Sequence, residues 1–190
     1  PANVTDMFLT HCHADHVGGL EEMAYRHMYL YGTKPRLHIP PALSVYLWQK
    51  VLSGGMTYTN SGLKLLQDYF NICYINPKEP FEILGNKFRA MPVPHVPHGA
   101  FFSYGLEINK KYFYTGDTSE VYPDHKYSTI FHDVTFNKQN IAHAQFEDIL
   151  NVSYAKKIKL MHYSDDYEKY KDIVDEYTDG FVVQRELFPL

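Results

Sequence analysis

Cysteine is scarce in this chain, with only Cys12 and Cys73 among 190 residues. That is too few for a disulfide framework, so a reducing, cytoplasmic setting is expected. No apolar run approaches the roughly 20 residues of a membrane span, which excludes a membrane protein of the helical kind. Basic charge is not in excess either. The formal net charge is −4, which argues against a protein that grips long nucleic acids, because such proteins carry a basic face that neutralises many phosphates. No signal-peptide pattern, internal repeat or low-complexity tract is present. The chain opens Pro1-Ala2-Asn3 without an initiator methionine, and by Val4 it already reads as a strand, so upstream sequence is expected to be missing. The length suits one packed core and is short for two independent enzyme domains, so a single domain over residues 1–190 is expected.

What is present is ordered as an α/β protein. Val4 to Leu9 reads as a strand, and the Gly18-Gly19 turn opens a helix through Leu20, Met23, Ala24 and His27. Arg36 to Ile39 is a short strand. Ala42 to Leu52 and Gly62 to Phe70 carry helix-spaced apolar residues, which predicts a helical insert near 41–70. From Ile72 the pattern changes. Ile72–Ile75, Phe81–Leu84, Phe88–Val93, Phe101–Ile108 and Lys111–Thr115 read as strands, with Asn109-Lys110 turning the last two into a hairpin. Thr129–Thr135 and Ile158–His162 read as strands, Gln145–Lys157 and Tyr167–Tyr177 as helices, and Phe181–Gln184 as extended.

Three histidines and an aspartate, His11, His13, Asp15 and His16, fall within six residues directly after the first strand. Side chains alternate in an extended segment, so His11 and His13 point to one side and can share a metal ion. The loop beyond turns Asp15 and His16 towards a second ion, and Cys12 points away from both. His27, His38 and His125 have no evident partners and read as surface or core residues. The 17 tyrosines read chiefly as core; Tyr112 and Tyr114 alternate as strand residues do.

The run Thr10-His11-Cys12-His13-Ala14-Asp15-His16-Val17-Gly18-Gly19-Leu20 resembles the histidine-rich signature of the metallo-β-lactamase superfamily. Further matches follow in family order: Phe88 to His95, Tyr114-Thr115-Gly116-Asp117-Thr118, and Leu160-Met161-His162-Tyr163-Ser164. The resemblance implies an αβ/βα sandwich of two mixed sheets flanked by helices, here without the first strands of one sheet. It also implies a two-metal site, with His11, His13 and His95 on one ion, Asp15, His16 and His162 on the other, and Asp117 bridging. Imidazoles and carboxylates suit zinc, with manganese or iron as alternatives. Pro94-His95-Val96-Pro97-His98 offers two candidates for the third histidine; His95 is preferred because it ends a strand, whereas His98 sits inside a loop.

Within the superfamily the second half is similar to the phosphodiesterase branch that includes ribonuclease Z. The segments are Phe131-His132-Asp133-Val134-Thr135-Phe136 and Ala142-His143. By position, Asp133 would support His143, and His143 would act at the scissile phosphate, where an alkoxide leaving group needs a proton. Ala144-Gln145 departs from the small hydroxyl residue usual after that histidine. Only 21 residues separate His95 from Asp117, leaving no room for a basic tRNA-gripping arm, so a small phosphodiester such as a cyclic nucleotide is the expected substrate. The expected mechanism is in-line attack on phosphorus by a hydroxide shared between two ions, with Asp15 orienting the nucleophile. Hydrolysis of a carboxylic ester, thioester or lactone at the same centre is the alternative enzyme reading, and a metal-binding remnant without turnover is the non-enzymatic one. An exposed sheet edge would favour a homodimer.

Overall fold

The computed structural model describes residues 2–96, 103–123 and 125–190. The chain divides into two compact units, Pro1–Pro77 and Lys78–Leu190, each with its own sheet.

The first unit runs β1 (Asp6–Phe8), α1 (Ala14–Val17), α2 (Leu20–Arg26), β2 (Arg36–Ile39), α3 (Pro41–Tyr46), α4 (Ser53–Met56), β3 (Tyr58–Thr59), β4 (Gly62–Leu63), α5 (Leu66–Tyr69) and β5 (Asn71–Tyr74). Strands β1, β2 and β5 form a wholly parallel sheet in that order. Its first pairing is reinforced by charge. Asp6 and Arg36 are register partners; the Arg36 guanidinium donates to both carboxylate oxygens at 2.6 and 2.5 Å, and His38 Nε2 lies 2.8 Å from Asp6 Oδ1. Chiefly through the Arg36 hydrogen bond, the Asp6 carboxyl is held well below the usual carboxylate range. Leu37, Ile39, Leu43, Leu47, Met56, Tyr69 and Phe70 are buried and form the apolar interior.

Two helices of this unit differ from a plain 3.6-residue reading. After α2 the chain continues as a π-helical turn over His27–Tyr31 and stops at Gly32, whose φ of 61° is the left-handed conformation that glycine adopts without strain. A second π-helical stretch, Leu47–Leu52, extends α3. The helix expected over Gly62 to Phe70 is largely replaced. Gly62 at φ 100° lets β3 and β4 pair as a small antiparallel hairpin, so only Leu66–Tyr69 is helical there. The insert near 41–70 is therefore helical as far as Met56 and continues as the β3–β4 hairpin and the short α5.

The second unit runs β6 (Pro80–Ile83), β7 (Asn86–Val93), β8 (Ser103–Ile108), β9 (Tyr112–Tyr114), β10 (Thr129–Asp133), α6 (Phe146–Leu150), β11 (Ile158–Met161) and α7 (Lys171–Tyr177). Its sheet is mixed, in the order β11-β10-β9-β8-β7-β6. The expected hairpin is present, and Asn109 and Lys110 take φ of 52° and 57°, as a two-residue primed turn requires. Phe101 and Phe102, expected at the start of β8, lie outside the described residues. Close packing in the sheet excludes a side chain at Gly105, where a Cβ would lie 2.8 Å from the Tyr114 carbonyl oxygen and 2.6 Å from the Phe113 ring. The helix expected over Gln145 to Lys157 is confined to Phe146–Leu150, followed by turns and one 3₁₀ turn at Ala155–Lys157. Apolar residues of β10, β11, α6 and α7, including Ile130, Ile149, Ile158, Leu160 and Val174, pack into one core. Backbone pairing of Leu160 with Phe181 covers the outer edge of β11.

Strand direction is what positions the chemistry. β9, β10 and β11 are mutually parallel, and β7 shares their direction through two antiparallel steps. Their carboxyl ends therefore lie along one end of the sheet, and His95, Asp117, Asp133 and His162 sit at or just beyond those ends.

Candidate active site

In the first unit the cluster begins at His11, three residues after the end of β1. His13 is extended (φ −69°, ψ 155°) and initiates the single turn of α1, which carries Asp15 and His16. Buried His11 lies at the centre, with ring centroids 4.7 Å from His13 and 4.0 Å from His16. Thr10 Oγ1 lies 3.0 Å from His11 Nδ1 and 3.3 Å from His16 Nδ1. A hydroxyl has two acceptor lone pairs and can accept both Nδ1–H groups, the tautomer pair that leaves each Nε2 as a ligand atom. Asp15 Oδ2 is 3.4 Å from His16 Nε2 and is largely exposed. Cys12 is buried, and desolvation pushes its thiol up to about 12, which removes it as a thiolate at neutral pH.

In the second unit His95 follows β7. Its Nδ1–H donates to the Ala142 carbonyl at 2.8 Å, so the Nε2 lone pair is the one presented, 3.7 Å from Asp117 Oδ2. That separation is too long for a hydrogen bond and close to the roughly 3.4 Å between two ligands of one tetrahedral zinc. His98, the competing candidate, lies outside the described residues. Asp117 is reached from β9 through Thr115-Gly116, and Gly116 adopts φ 59° to make the turn. Ser103 Oγ donates to the Asp117 carbonyl at 2.9 Å and fixes the backbone there. His162, one residue past β11, has φ 57°, a left-handed conformation that costs an ordinary residue about 1–2 kcal/mol. Such strain is tolerated where the surroundings dictate it and is common at functional sites. Its Nδ1 is 3.2 Å from Asp133 Oδ1 and 3.7 Å from Asp117 Oδ1.

Asp133 ends β10 with no solvent exposure. His143 Nδ1 donates to its Oδ2 at 2.7 Å, and the Thr118 backbone N–H donates to the same oxygen at 3.0 Å. Burial is the largest influence on this carboxyl and favours protonation, but the hydrogen bonds from His143 and His162 outweigh it and hold the pKa below the usual range. Conversely, the Asp133 hydrogen bond raises the pKa of His143 against its own desolvation. Asp133, His143 and His162 bring potential ligand atoms within 4.8 Å of one another, yet these hydrogen bonds occupy the carboxylate, which suits it to orienting imidazoles. His132, next in sequence, is fully buried and satisfied on both nitrogens: Nδ1–H donates to the Asp133 carbonyl and Nε2 accepts from Tyr122 N–H. Burial lowers its pKa, and it serves as a neutral core residue.

Several supporting residues went unremarked in the sequence. Thr10, Ser103, Thr115 and Thr118 act through hydroxyl or backbone groups that any loop could carry, and Ala142 acts through its carbonyl. Only Thr10, adjoining a ligand-type histidine, stood where a supporting partner could have been anticipated.

The family model described as "Anti-Pycsar protein Apyc1" matches residues 1–188. Among curated relatives, the anti-Pycsar protein Apyc1 of Paenibacillus harenae is 34% identical over 87% of this chain and 70% of its own length. The Apyc1 protein of Bacillus phage BSP38 is 34% identical over 88% and 72%. Among solved structures, the metallo-β-lactamase fold protein YhfI from Bacillus subtilis superposes with a TM-score of 0.67 at 15% identity, covering 96% of this chain and 75% of YhfI. Unliganded yeast PDE1 gives 0.67 at 15% identity, covering 96% and 68%. The fold is thus that of the metallo-β-lactamase proteins. The chain belongs to the Apyc1 family of anti-Pycsar proteins.

Proposed function

We propose that this chain hydrolyses a phosphodiester bond in a small substrate, a cyclic nucleotide foremost, and shares the anti-Pycsar role for which its relatives are named. His11, His13, Asp15 and His16 of the first unit and His95, Asp117 and His162 of the second are the side chains that would hold divalent ions. Zinc suits the imidazole-rich set, with manganese or iron as alternatives. Bound there, such ions supply charge stabilisation for phosphoryl oxygens and lower the pKa of water. The ligand reading is supported by the Nδ1–H of His95 on Ala142 and by Thr10 beside two imidazoles, both of which leave Nε2 atoms for coordination. A reducing cytoplasm is consistent with two free cysteines. No helix among the described residues is long and apolar enough to cross a membrane. Exposed Tyr29, Leu30, Tyr58 and Leu63 offer apolar surface that a homodimer would cover.

The observation that carries the proposal is the pairing of His143 with buried Asp133. Asp133 accepts the hydrogen bond from Nδ1–H, fixes the tautomer and stabilises the imidazolium, so Nε2 is the atom that delivers a proton to a leaving alkoxide. A phosphodiester needs that proton, because its leaving oxygen is a poor one. The test is His143→Ala assayed on diesters of graded leaving-group acidity. Turnover on an alkyl leaving group is expected to fall roughly a hundredfold with metal content intact, and much less with a nitrophenolate leaving group. Equal activity of variant and wild type on the alkyl diester would overturn the assignment.

A further inference from the structure

Beside His143 and His162 the second unit holds a cavity of about 290 Å³, lined also by Thr135, Asn140 and Tyr163. It sits at the lower end of the roughly 300–1,000 Å³ range of small-molecule sites, a size for a sugar rather than for a whole nucleotide. Asn140 belongs to the short loop that also carries Ala142 and His143, and the loop is pinned from several directions. Asn140 Oδ1 accepts the Ala142 N–H at 3.3 Å, the Asn140 carbonyl accepts Gln145 Nε2 at 2.8 Å, and the Ala142 carbonyl accepts His95 Nδ1–H at 2.8 Å. With Oδ1 engaged by the backbone, Nδ2 is left as the donor end of the Asn140 amide. Thr135 Oγ1 accepts the Asn137 N–H at 3.2 Å, which leaves its own hydrogen to donate.

Resting on the phosphodiesterase reading above, we propose that this cavity takes the leaving-group sugar of the substrate. Asn140 is then a specificity-determining residue whose Nδ2 donates to the hydroxyl vicinal to the leaving oxygen. The chemistry follows from position. If His143 Nε2 delivers a proton to a ribose 3′ oxygen, the neighbouring 2′-hydroxyl is the next polar group of the substrate, and Asn140 lies in the same loop, three residues from His143. A site built to hydrogen-bond a hydroxyl rejects the analogue that lacks it, because its donor is left unpaired.

The test compares kcat/KM for 3′,5′-cyclic ribonucleotides with their 2′-deoxy counterparts, using the metal-loaded full chain. The wild type is expected to favour the ribonucleotide by about tenfold, the scale of one hydrogen bond. Asn140→Ala is expected to bring the ratio to about one. Zinc content and melting temperature of Asn140→Ala at wild-type values exclude a disturbed fold as the cause of that change. A merely structural role would depress both substrates together and leave the ratio of Asn140→Ala at its wild-type value, and that result would overturn the inference. A wild type that opens both substrates equally would also overturn it while leaving the phosphodiesterase reading standing. A wild type that turns over neither cyclic nucleotides nor a chromogenic phosphodiester would overturn both.

Discussion

Thr10 shows how a single hydroxyl can control two imidazoles. It stands within 3.0 and 3.3 Å of the Nδ1 atoms of His11 and His16, and all three residues lie in one seven-residue stretch. Replacing the hydroxyl by a methyl group leaves volume nearly unchanged and removes the acceptor that orients both rings. Thr10→Val is therefore expected to lower metal affinity by about 10–100-fold with little change in folding, and calorimetric titration of zinc into the apoprotein measures it. The same logic explains why Asp133 and His132, adjacent in sequence, have different fates. Asp133 points its carboxylate at His143 and His162, whereas His132 is locked between a carbonyl and a backbone N–H inside the core. Alternation along β10 turns the two side chains to opposite faces.

At the scale of elements, β1 and β2 are held in register by Asp6, Arg36 and His38. Sign decides the pH dependence. The Asp6 pKa is depressed in the folded state, so its stabilisation is fully present above the unfolded carboxylate value of about 4 and is lost progressively as pH falls below it. Arg36 is about half exposed, and solvent screening reduces the gain, so Asp6→Asn is expected to cost about 1–2 kcal/mol at pH 7. The difference between variant and wild type in urea stability should start to shrink below about pH 4 and close only once the pH falls below the depressed Asp6 pKa. Much of this level was legible in the sequence: Arg36–Ile39 is a strand as its apolar pattern predicts, and the Asn109-Lys110 hairpin turns where expected. Other features were not. The π-helical turns keep the same apolar periodicity over a short span, so pattern alone cannot distinguish them from α-helix. Gly62 reads as a tolerable helix residue until its pairing with Thr59 is known. The left-handed backbone at His162 is imposed by tertiary surroundings, for which the local sequence carries no signal.

At the scale of the molecule, the carboxyl ends of β7, β9, β10 and β11 gather His95, Asp117, Asp133 and His162 along one end of a mixed sheet. The histidine run of the first unit stands likewise just beyond the carboxyl end of β1. The residue types at those ends were legible, because histidines and aspartates in family order are a dense signal; their supporting hydrogen bonds were not, because those partners are ordinary threonines and carbonyls. The central claim is metal-dependent opening of a small phosphodiester, and its most direct measurement is product analysis. The protein is stripped with a chelator, reconstituted with zinc or manganese, and incubated with a 3′,5′-cyclic nucleotide while the products are followed by chromatography. Conversion to the linear monophosphate is expected, at a rate at least about a hundredfold above that of the stripped protein. A fully metal-loaded protein that leaves the cyclic phosphate intact while hydrolysing carboxylic esters or thioesters would contradict it.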